Sequence, residues 1–391
     1  MEKYFDLYNN CKFVKEENNG CLYDTLTGKM YELDAEYSEK IDKVLKNKKM
    51  NINDKILIEL VEMGLGTFVD HPVIHENAIT DFEQIFTTFN ASNKLEDVYI
   101  QLVNECNNKC VICEKSCKIF SKTHCKLWEE RSDDVKRESW EKVFKDVNNL
   151  GAKRVNFIGG NPFLNLEKLK CFVTLATNNH FEEIIVYANV NYISEEIIRI
   201  CKENHIKINI QLMDYNQVVK ENITWLLQQN IDLEISVLVG YDYEQDLTKI
   251  LQEISSLGIR SIRFSEYYHS EMKEIEYEKK ISGKFDEEGL RISSLLNTCL
   301  YGKIYITMDG DVMPCPMLNS IKLGSIKDES IVDIIKKDCY QKLIFSSRSK
   351  IQGCRKCVFR FNCKDCRAIE AQGSNDLLGG YYCTKIGREV V

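Results

Sequence analysis

Between residues 97 and 264, short apolar segments alternate with amphipathic helical ones, and this rhythm restricts the fold more than any other feature of the chain. Strands are predicted at 97–103, 153–158, 183–188, 206–212, 231–238 and 259–264, with helical patterns at 133–149, 165–177, 194–203, 216–229 and 244–257. Such an order implies parallel strands joined by helical crossovers. Six strands suit an open doubly wound sheet or an incomplete (β/α) barrel. In both, chemistry gathers at the carboxyl ends of the strands.

The flanks read differently. Residues 1–70 look like a small α/β unit, with strands at Cys11–Lys15, Cys21–Asp24 and Met30–Leu33 around the turn Thr25-Leu26-Thr27-Gly28-Lys29. Two helical patterns follow, one carried by Tyr37, Ile41 and Val44, the other by Ile56, Leu57, Leu60 and Val61 with Gly64 as its stop. Residues 71–96 read as a linker. A helix at about 285–297 closes the βα region, 97–297, and 298–391 is a cysteine-dense tail with little room for a hydrophobic core.

The formal charge of −8 argues against nucleic acid as a general partner. No apolar run reaches the length of a membrane span, and Met1-Glu2-Lys3-Tyr4-Phe5-Asp6 is no signal peptide, so a cytoplasmic location is expected. In a reducing compartment, 17 cysteines clustered in short motifs point to metal rather than to disulfides. The six histidines form no metal-binding spacing.

The first predicted strand runs into Cys106-x3-Cys110-x2-Cys113. Iron–sulfur cubanes normally take four cysteines, so three leave one iron open. An open metal position marks a catalytic site, as it does for zinc. The same thiols also suit part of a zinc site or plain buried cysteines. In the tail, Cys299 and Cys315 precede Cys354-x2-Cys357-x5-Cys363-x2-Cys366, and Cys383 follows. Two C-x2-C pairs would also serve a zinc ribbon. Cys117 and Cys125 are further candidates, expected, like Cys11, Cys21, Cys171, Cys201 and Cys339, to be structural, since free cysteine is often a small buried hydrophobe.

The Cys106, Cys110 and Cys113 spacing resembles the radical S-adenosylmethionine (radical SAM) superfamily. That resemblance implies a partial (β/α)6 TIM-like barrel and a [4Fe–4S] cluster whose open iron takes S-adenosylmethionine. Reductive cleavage would then yield a 5′-deoxyadenosyl radical that abstracts hydrogen from substrate. Gly159-Gly160-Asn161-Pro162 resembles the segment that binds the amino group of S-adenosylmethionine, with Asn161 in place of the usual acid. By the same resemblance Asn189, Gln211 and Asp214 are candidates for further polar contacts, and Ile112 for packing on adenine. The tail resembles the SPASM domain and so implies two auxiliary [4Fe–4S] clusters. Cys354, Cys357, Cys363 and Cys383 would hold the outer one, and Cys299, Cys315 and Cys366 the inner one. The inner cluster would then have a position open to water or a substrate thiolate.

Through the phrase Cys21 to Leu33, residues 1–70 resemble the winged-helix PqqD-like domain that recognises leader peptides. It would bind by strand addition at a sheet edge. Together these resemblances imply an oxidoreductase that matures a ribosomally made precursor peptide, with a flavodoxin or ferredoxin as electron donor. A thioether cross-link is the first expectation. Carbon–carbon cross-linking, epimerisation, sulfatase-type protein oxidation and a non-catalytic metal scaffold are the alternatives.

Overall fold

The computed structural model describes residues 1–17, 19–74, 94–107, 110, 113, 118–120, 131–213, 215–240, 246–268, 285–318, 320–363, 366–374, 376–380 and 383. They fall into two compact units. One comprises Met1–Phe89, Glu276–Cys299 and Ile344–Val391; the other comprises Asn90–Ile275 and Leu300–Leu343. Among the described residues no helix is long and apolar enough to cross a membrane.

The first unit begins with β1 (Glu2–Leu7), β2 (Cys11–Glu16), β3 (Asn19–Asp24), β4 (Lys29–Leu33), β5 (Met50–Asn51) and β6 (Gly66–Val69). β2, β3 and β4 form an antiparallel sheet in that order, and β5, β1 and β6 form a second. The helices Ala35–Leu45 and Lys55–Glu62 start at Asp34 and Asp54, whose carboxylates accept N–H groups of the first turn. Ile41, Val44, Ile56, Leu57 and Leu60 face a core shared with Phe5, Phe13 and Leu22. The three expected strands and both helices are therefore present. β1, β5 and β6 were not expected, because each depends on partners distant in sequence: Tyr4 pairs with Val69 and Glu2 with Asn51.

The β3–β4 turn is held by Asp24. Its Oδ1 accepts from Asn10 Nδ2 at 2.7 Å and from the Leu26 N–H at 3.0 Å, and Gly28 supplies a left-handed position at φ 71°. Burial raises the Asp24 pKa, but the hydrogen bonds from Thr27, Asn10 and Leu26 outweigh it and leave the group below its ordinary value. A depressed carboxylate stabilises the fold above its unfolded pKa, and that contribution is lost as pH falls through the folded value. Asp24→Asn is therefore expected to be less stable than wild type at neutral pH. The gap should shrink below about pH 4, as read by thermal unfolding across the acid range.

In the second unit, β7 (Asp97–Gln101), β8 (Lys118–Phe120), β9 (Arg154–Ile158), β10 (Glu183–Ala188), β11 (Lys207–Leu212), β12 (Leu233–Gly240), β13 (Ile262–Tyr268), β14 (Lys303–Ile306), β15 (Asp311–Met313) and β16 (Gly324–Ser325) make one ten-stranded sheet. Its middle is parallel and runs β7-β9-β10-β11-β12-β13. This order follows the chain without the reversal of a doubly wound sheet. The helices Arg137–Asn149, Leu166–Asn178, Glu195–Glu203, Gln217–Gln228 and Leu247–Ser256 occupy the expected gaps. β8 adds antiparallel to β13. On the other edge β14 adds parallel to β7, and β15 and β16 follow.

Most side chains on both faces of the central strands are buried, and the two faces differ in chemistry. Val98, Ile100, Val155, Phe157, Val186, Ile208, Ile210 and Ile235 form the apolar face. Tyr99, Gln101, Asn156, Tyr187, Asn209, Gln211 and Ser236 alternate with them on the other. Several of these polar side chains bond one another: Tyr187 Oη donates to Asn156 Oδ1 at 3.2 Å, and Ser236 Oγ to Asn209 Oδ1 at 2.9 Å. The tail region was expected to hold little core. Instead Ile304, Tyr305, Ile306, Val312, Ile331 and Ile334 are fully buried, because β14–β16 share the ten-stranded sheet.

Candidate cofactor site at the carboxyl edge of the parallel sheet

Parallel pairing puts the exits of β7, β9, β10 and β11 side by side. The chain leaves β7 through Leu102, whose N–H still reaches Ile158 O at 2.9 Å. It then enters the cysteine loop under tight control. Gln101 Nε2 donates to Asn104 Oδ1 at 2.5 Å, and Asn104 Nδ2 donates to Arg131 O at 2.7 Å. Tyr305 Oη, from β14, donates to Gln101 Oε1 at 2.9 Å. Arg131 Nη1 lies 3.2 Å from Asp309 and 3.5 Å from Asp311. This relay fixes Asn104 two residues before Cys106.

Cys106, Cys110 and Cys113 are all half-buried. The Cys113 N–H donates to Cys110 O at 3.0 Å, and the two Sγ atoms stand 3.8 Å apart. Among the described residues no three Cys, His, Asp or Glu side chains converge on a single ion. A cluster between these thiols therefore requires the side chains to turn apart, which their half-exposed position on a loop permits.

β9 ends at two successive glycines with φ of 89° and 59° at Gly159 and Gly160. A Cβ on Gly159 would stand 2.7 Å from Gln101 Cγ and 2.9 Å from Val103 O, so only glycine lets this turn pass close to the β7 exit. The Asn161 N–H donates to Glu105 O at 2.8 Å and so ties the glycine turn to the cysteine loop. Its side chain is 1% exposed and committed at both ends. Oδ1 accepts from the Phe163 N–H at 3.2 Å, and Nδ2 donates to Asn107 Oδ1 at 3.1 Å. A carboxylate could not make the second bond, so the amide is bound into the loop contact. The second lone pair of Oδ1 remains as an acceptor. Pro162 begins the short 3-10 turn that Asn161 caps.

Asn189 follows β10 and accepts from the Asn191 N–H at 2.7 Å, which makes it a turn cap. Gln211 is buried in β11, where Nε2 donates to Asn209 Oδ1 at 2.5 Å. Its Oε1 is buried without a protein donor, an acceptor that a ligand hydroxyl would satisfy. Asp214 and Ile112 lie outside the described residues, as do Cys117 and Cys125. Three thiols on one loop, a glycine cradle and an orphaned buried acceptor fit an iron–sulfur cluster with a polar cofactor beside it.

Seven candidate ligand cysteines lie in the tail. Cys315 follows β15 in the second unit, half-buried, and its carbonyl accepts the Leu318 N–H at 3.1 Å. Cys299, Cys354, Cys357, Cys363, Cys366 and Cys383 belong to the first unit, and all are half-buried. Gly353, at φ 82°, starts the turn Cys354–Lys356, and the Cys357 N–H closes it on Cys354 O at 2.9 Å. The remaining thiols differ. Burial pushes those of Cys11, Cys21 and Cys201 up to about 12, so they stay protonated. Cys171 is half-buried and Cys339 is exposed, against the expectation that both are buried. Cys339 sits in the first turn of the short helix Asp338–Ile344.

Sequence reasoning missed Gln101, Asn104, Arg131 and Tyr305. Gln101 carried a signal, a polar residue inside an apolar strand. Tyr305 carried none, since its partner lies 204 residues away.

Residues 298–358 match the SPASM family, an iron–sulfur cluster-binding domain. The match takes in Cys299, Cys315, Cys354 and Cys357 and ends before Cys363. The chain is 22% identical over 341 residues to the cysteine-type anaerobic sulfatase-maturating enzyme of Clostridium perfringens, covering 71% of this chain and 90% of that protein. It is similar to the structure of native anSMEcpe with bound AdoMet, at TM-score 0.52 and 17% identity, over 73% of this chain and 93% of the other. The Streptococcus suis SuiB structure bound to precursor peptide SuiA matches at TM-score 0.50 and 14% identity, over 94% of this chain and 96% of the other. The chain thus combines a segment similar to the SPASM iron–sulfur cluster-binding domain with the fold seen in these two structures.

Proposed function

We propose that this protein is a radical S-adenosylmethionine enzyme that matures a ribosomally made precursor peptide. The observation that carries the reading is the Asn161 N–H to Glu105 O bond, which clasps the glycine turn against the cysteine loop. A reduced [4Fe–4S] cluster on Cys106, Cys110 and Cys113, with S-adenosylmethionine bound, would supply a radical able to take hydrogen from an unactivated C–H bond. The chain's own residues bind and orient. Backbone groups of Gly159 and Gly160 approach the cofactor without side-chain obstruction, Asn161 Oδ1 offers an acceptor to an ammonium, and Gln211 Oε1 accepts from a hydroxyl. The six parallel strands would form the partial barrel around this site.

In the tail, Cys354, Cys357, Cys363 and Cys383 would hold an outer auxiliary cluster, and Cys299, Cys315 and Cys366 an inner one. The peptide reading is favoured over sulfatase-type oxidation by coverage. The likeness to SuiB extends over 94% of the chain, that to anSMEcpe over 73%.

Residues 1–70 supply a place for the leader. Among the described residues β4 pairs only with β3, and beside it lies a cleft of about 600 Å³ floored by Leu33, Leu60 and Leu65. Glu32, Asp34 and Glu59 are its charged walls. An extended leader adding to β4 would therefore carry basic and apolar side chains. Reversing two charges (Glu32→Lys with Glu59→Lys) is expected to weaken leader binding roughly tenfold at low salt and less at high salt, as read by fluorescence anisotropy. An unchanged affinity would remove the cleft from the reading.

The product is proposed to be a thioether, with a carbon–carbon cross-link as the alternative. Anaerobic protein, a low-potential reductant and a cysteine-containing candidate precursor should give 5′-deoxyadenosine and a peptide lighter by two hydrogens. A colourless, zinc-containing protein that forms no 5′-deoxyadenosine would overturn the proposal.

A further inference from the structure

The segment that carries the cysteines of the proposed outer cluster packs against the amino-terminal sheet. Val14, Cys21 and Tyr23 of β2 and β3 share one buried cluster with Val358, Phe359 and Phe361, and Cys357 packs against it. Tyr23 is fully buried. Its hydroxyl donates to Val358 O at 2.5 Å, across 335 residues of sequence, one residue beyond Cys357. The ring meets Phe285 and Phe361 edge-on, with centroids at 5.4 and 6.2 Å. On the next strand, Met30 Sδ accepts from Asn362 Nδ2 at 3.3 Å, one residue before Cys363. From the other side Arg360 covers the Phe361 ring at 4.5 Å and donates to Cys357 O at 2.9 Å.

These contacts have an ordering consequence. A loop that must present thiolates at fixed positions needs support that limits its conformations. Here two successive strands brace it at Val358 and Asn362, which lie just inside the two ends of the stretch from Cys357 to Cys363. Removing the Tyr23 hydroxyl leaves a buried carbonyl without its donor. Removing the ring also opens a cavity behind Cys357.

We infer that the amino-terminal β2–β3–β4 sheet is the supporting wall of the outer auxiliary cluster, and that Tyr23 is the positioning residue that sets Cys357. The inference rests on the proposal that Cys354, Cys357, Cys363 and Cys383 hold that cluster. It adds a second role to residues 1–70: they are part of a metal site as well as a recognition element.

The test uses the full chain, purified anaerobically, as wild type, Tyr23→Phe, Tyr23→Ala and Cys357→Ala. Iron and sulfide are counted, and electron paramagnetic resonance of the reduced protein identifies each cluster. Tyr23→Phe keeps the ring, so the fold should persist while the outer-cluster signal shifts and its loss to an iron chelator speeds up several-fold. Tyr23→Ala should lose the same iron and the same signal as Cys357→Ala. The signal of the Cys106, Cys110 and Cys113 cluster should remain, which separates a local effect from global unfolding. If Cys357→Ala loses one cluster's iron while both Tyr23 variants keep wild-type iron, signals and chelator rates, the inference is wrong and the ligand assignment stands. If Cys357→Ala loses no iron, both fall together.

Discussion

Replacing Cys106, Cys110 and Cys113 together by alanine is expected to reduce 5′-deoxyadenosine formation to background while leaving the protein folded. The two halves of that expectation have separate physical grounds. The thiols are half-buried on a loop and are not among the buried core of the described residues, so removing them opens no large core cavity. The β7 exit is held instead by the Gln101, Asn104 and Arg131 relay, which the substitutions leave untouched. Loss of all three donors, however, removes every protein ligand of the proposed catalytic cluster. Iron analysis should show one cluster fewer, with the auxiliary signals retained, and thermal unfolding should shift little. Persistence of 5′-deoxyadenosine in the triple variant would place the radical chemistry elsewhere.

Gly159→Ala should be the most damaging single substitution at the site. An L-residue in the left-handed region costs about 1–2 kcal/mol, and φ is 89° here. The added methyl would also stand 2.9 Å from Val103 O, a backbone atom at the β7 exit, and 2.7 Å from Gln101 Cγ. Overpacking of this kind costs about 1–3 kcal/mol. Gly258→Ala is the internal control. Gly258 has φ 86° and no atom within 4 Å of a built Cβ, so only the backbone cost applies. Gly159→Ala is therefore expected to lower the unfolding free energy by about 2–5 kcal/mol and Gly258→Ala by about 1–2 kcal/mol. Because the methyl would push the glycine turn from the cysteine loop, Gly159→Ala should also weaken S-adenosylmethionine binding, measured by equilibrium dialysis, while Gly258→Ala should not. Equal losses of stability in the two variants would show that the close approach to Val103 relaxes freely.

The central βα region was legible because its signals are local. Each strand from β7 to β12, apart from β8, is built on a short apolar run, and each following helix buries a stripe such as Trp140, Val143, Phe144 and Val147. β13 (Ile262–Tyr268) starts three residues later than the expected 259–264, and Arg263, Ser265 and Glu266 interrupt its apolar pattern. The order of the strands could not be read that way, since doubly wound and sequential sheets share the same rhythm. The site was legible in part. Cys106, Cys110, Cys113 and the paired glycines announce themselves by spacing. Asn161 was legible as a departure from an acid, but not as a residue whose amide nitrogen bonds Asn107. Arg131 and Tyr305 were illegible, because no local pattern distinguishes them from ordinary surface and core residues.

By itself, then, the sequence determined the alternation of strands and helices, the cysteine loop at a strand exit and the cysteine-rich tail, all properties written within a few residues of one another. Only the tertiary structure decided the sequential strand order, the addition of β14 to β7, and the packing of β2 and β3 on the segment around Cys357. Those depend on pairings such as Tyr23 with Val358, separated by 335 residues. At such separations neither helical nor strand periodicity carries information about a partner, and burial of complementary surfaces alone selects it.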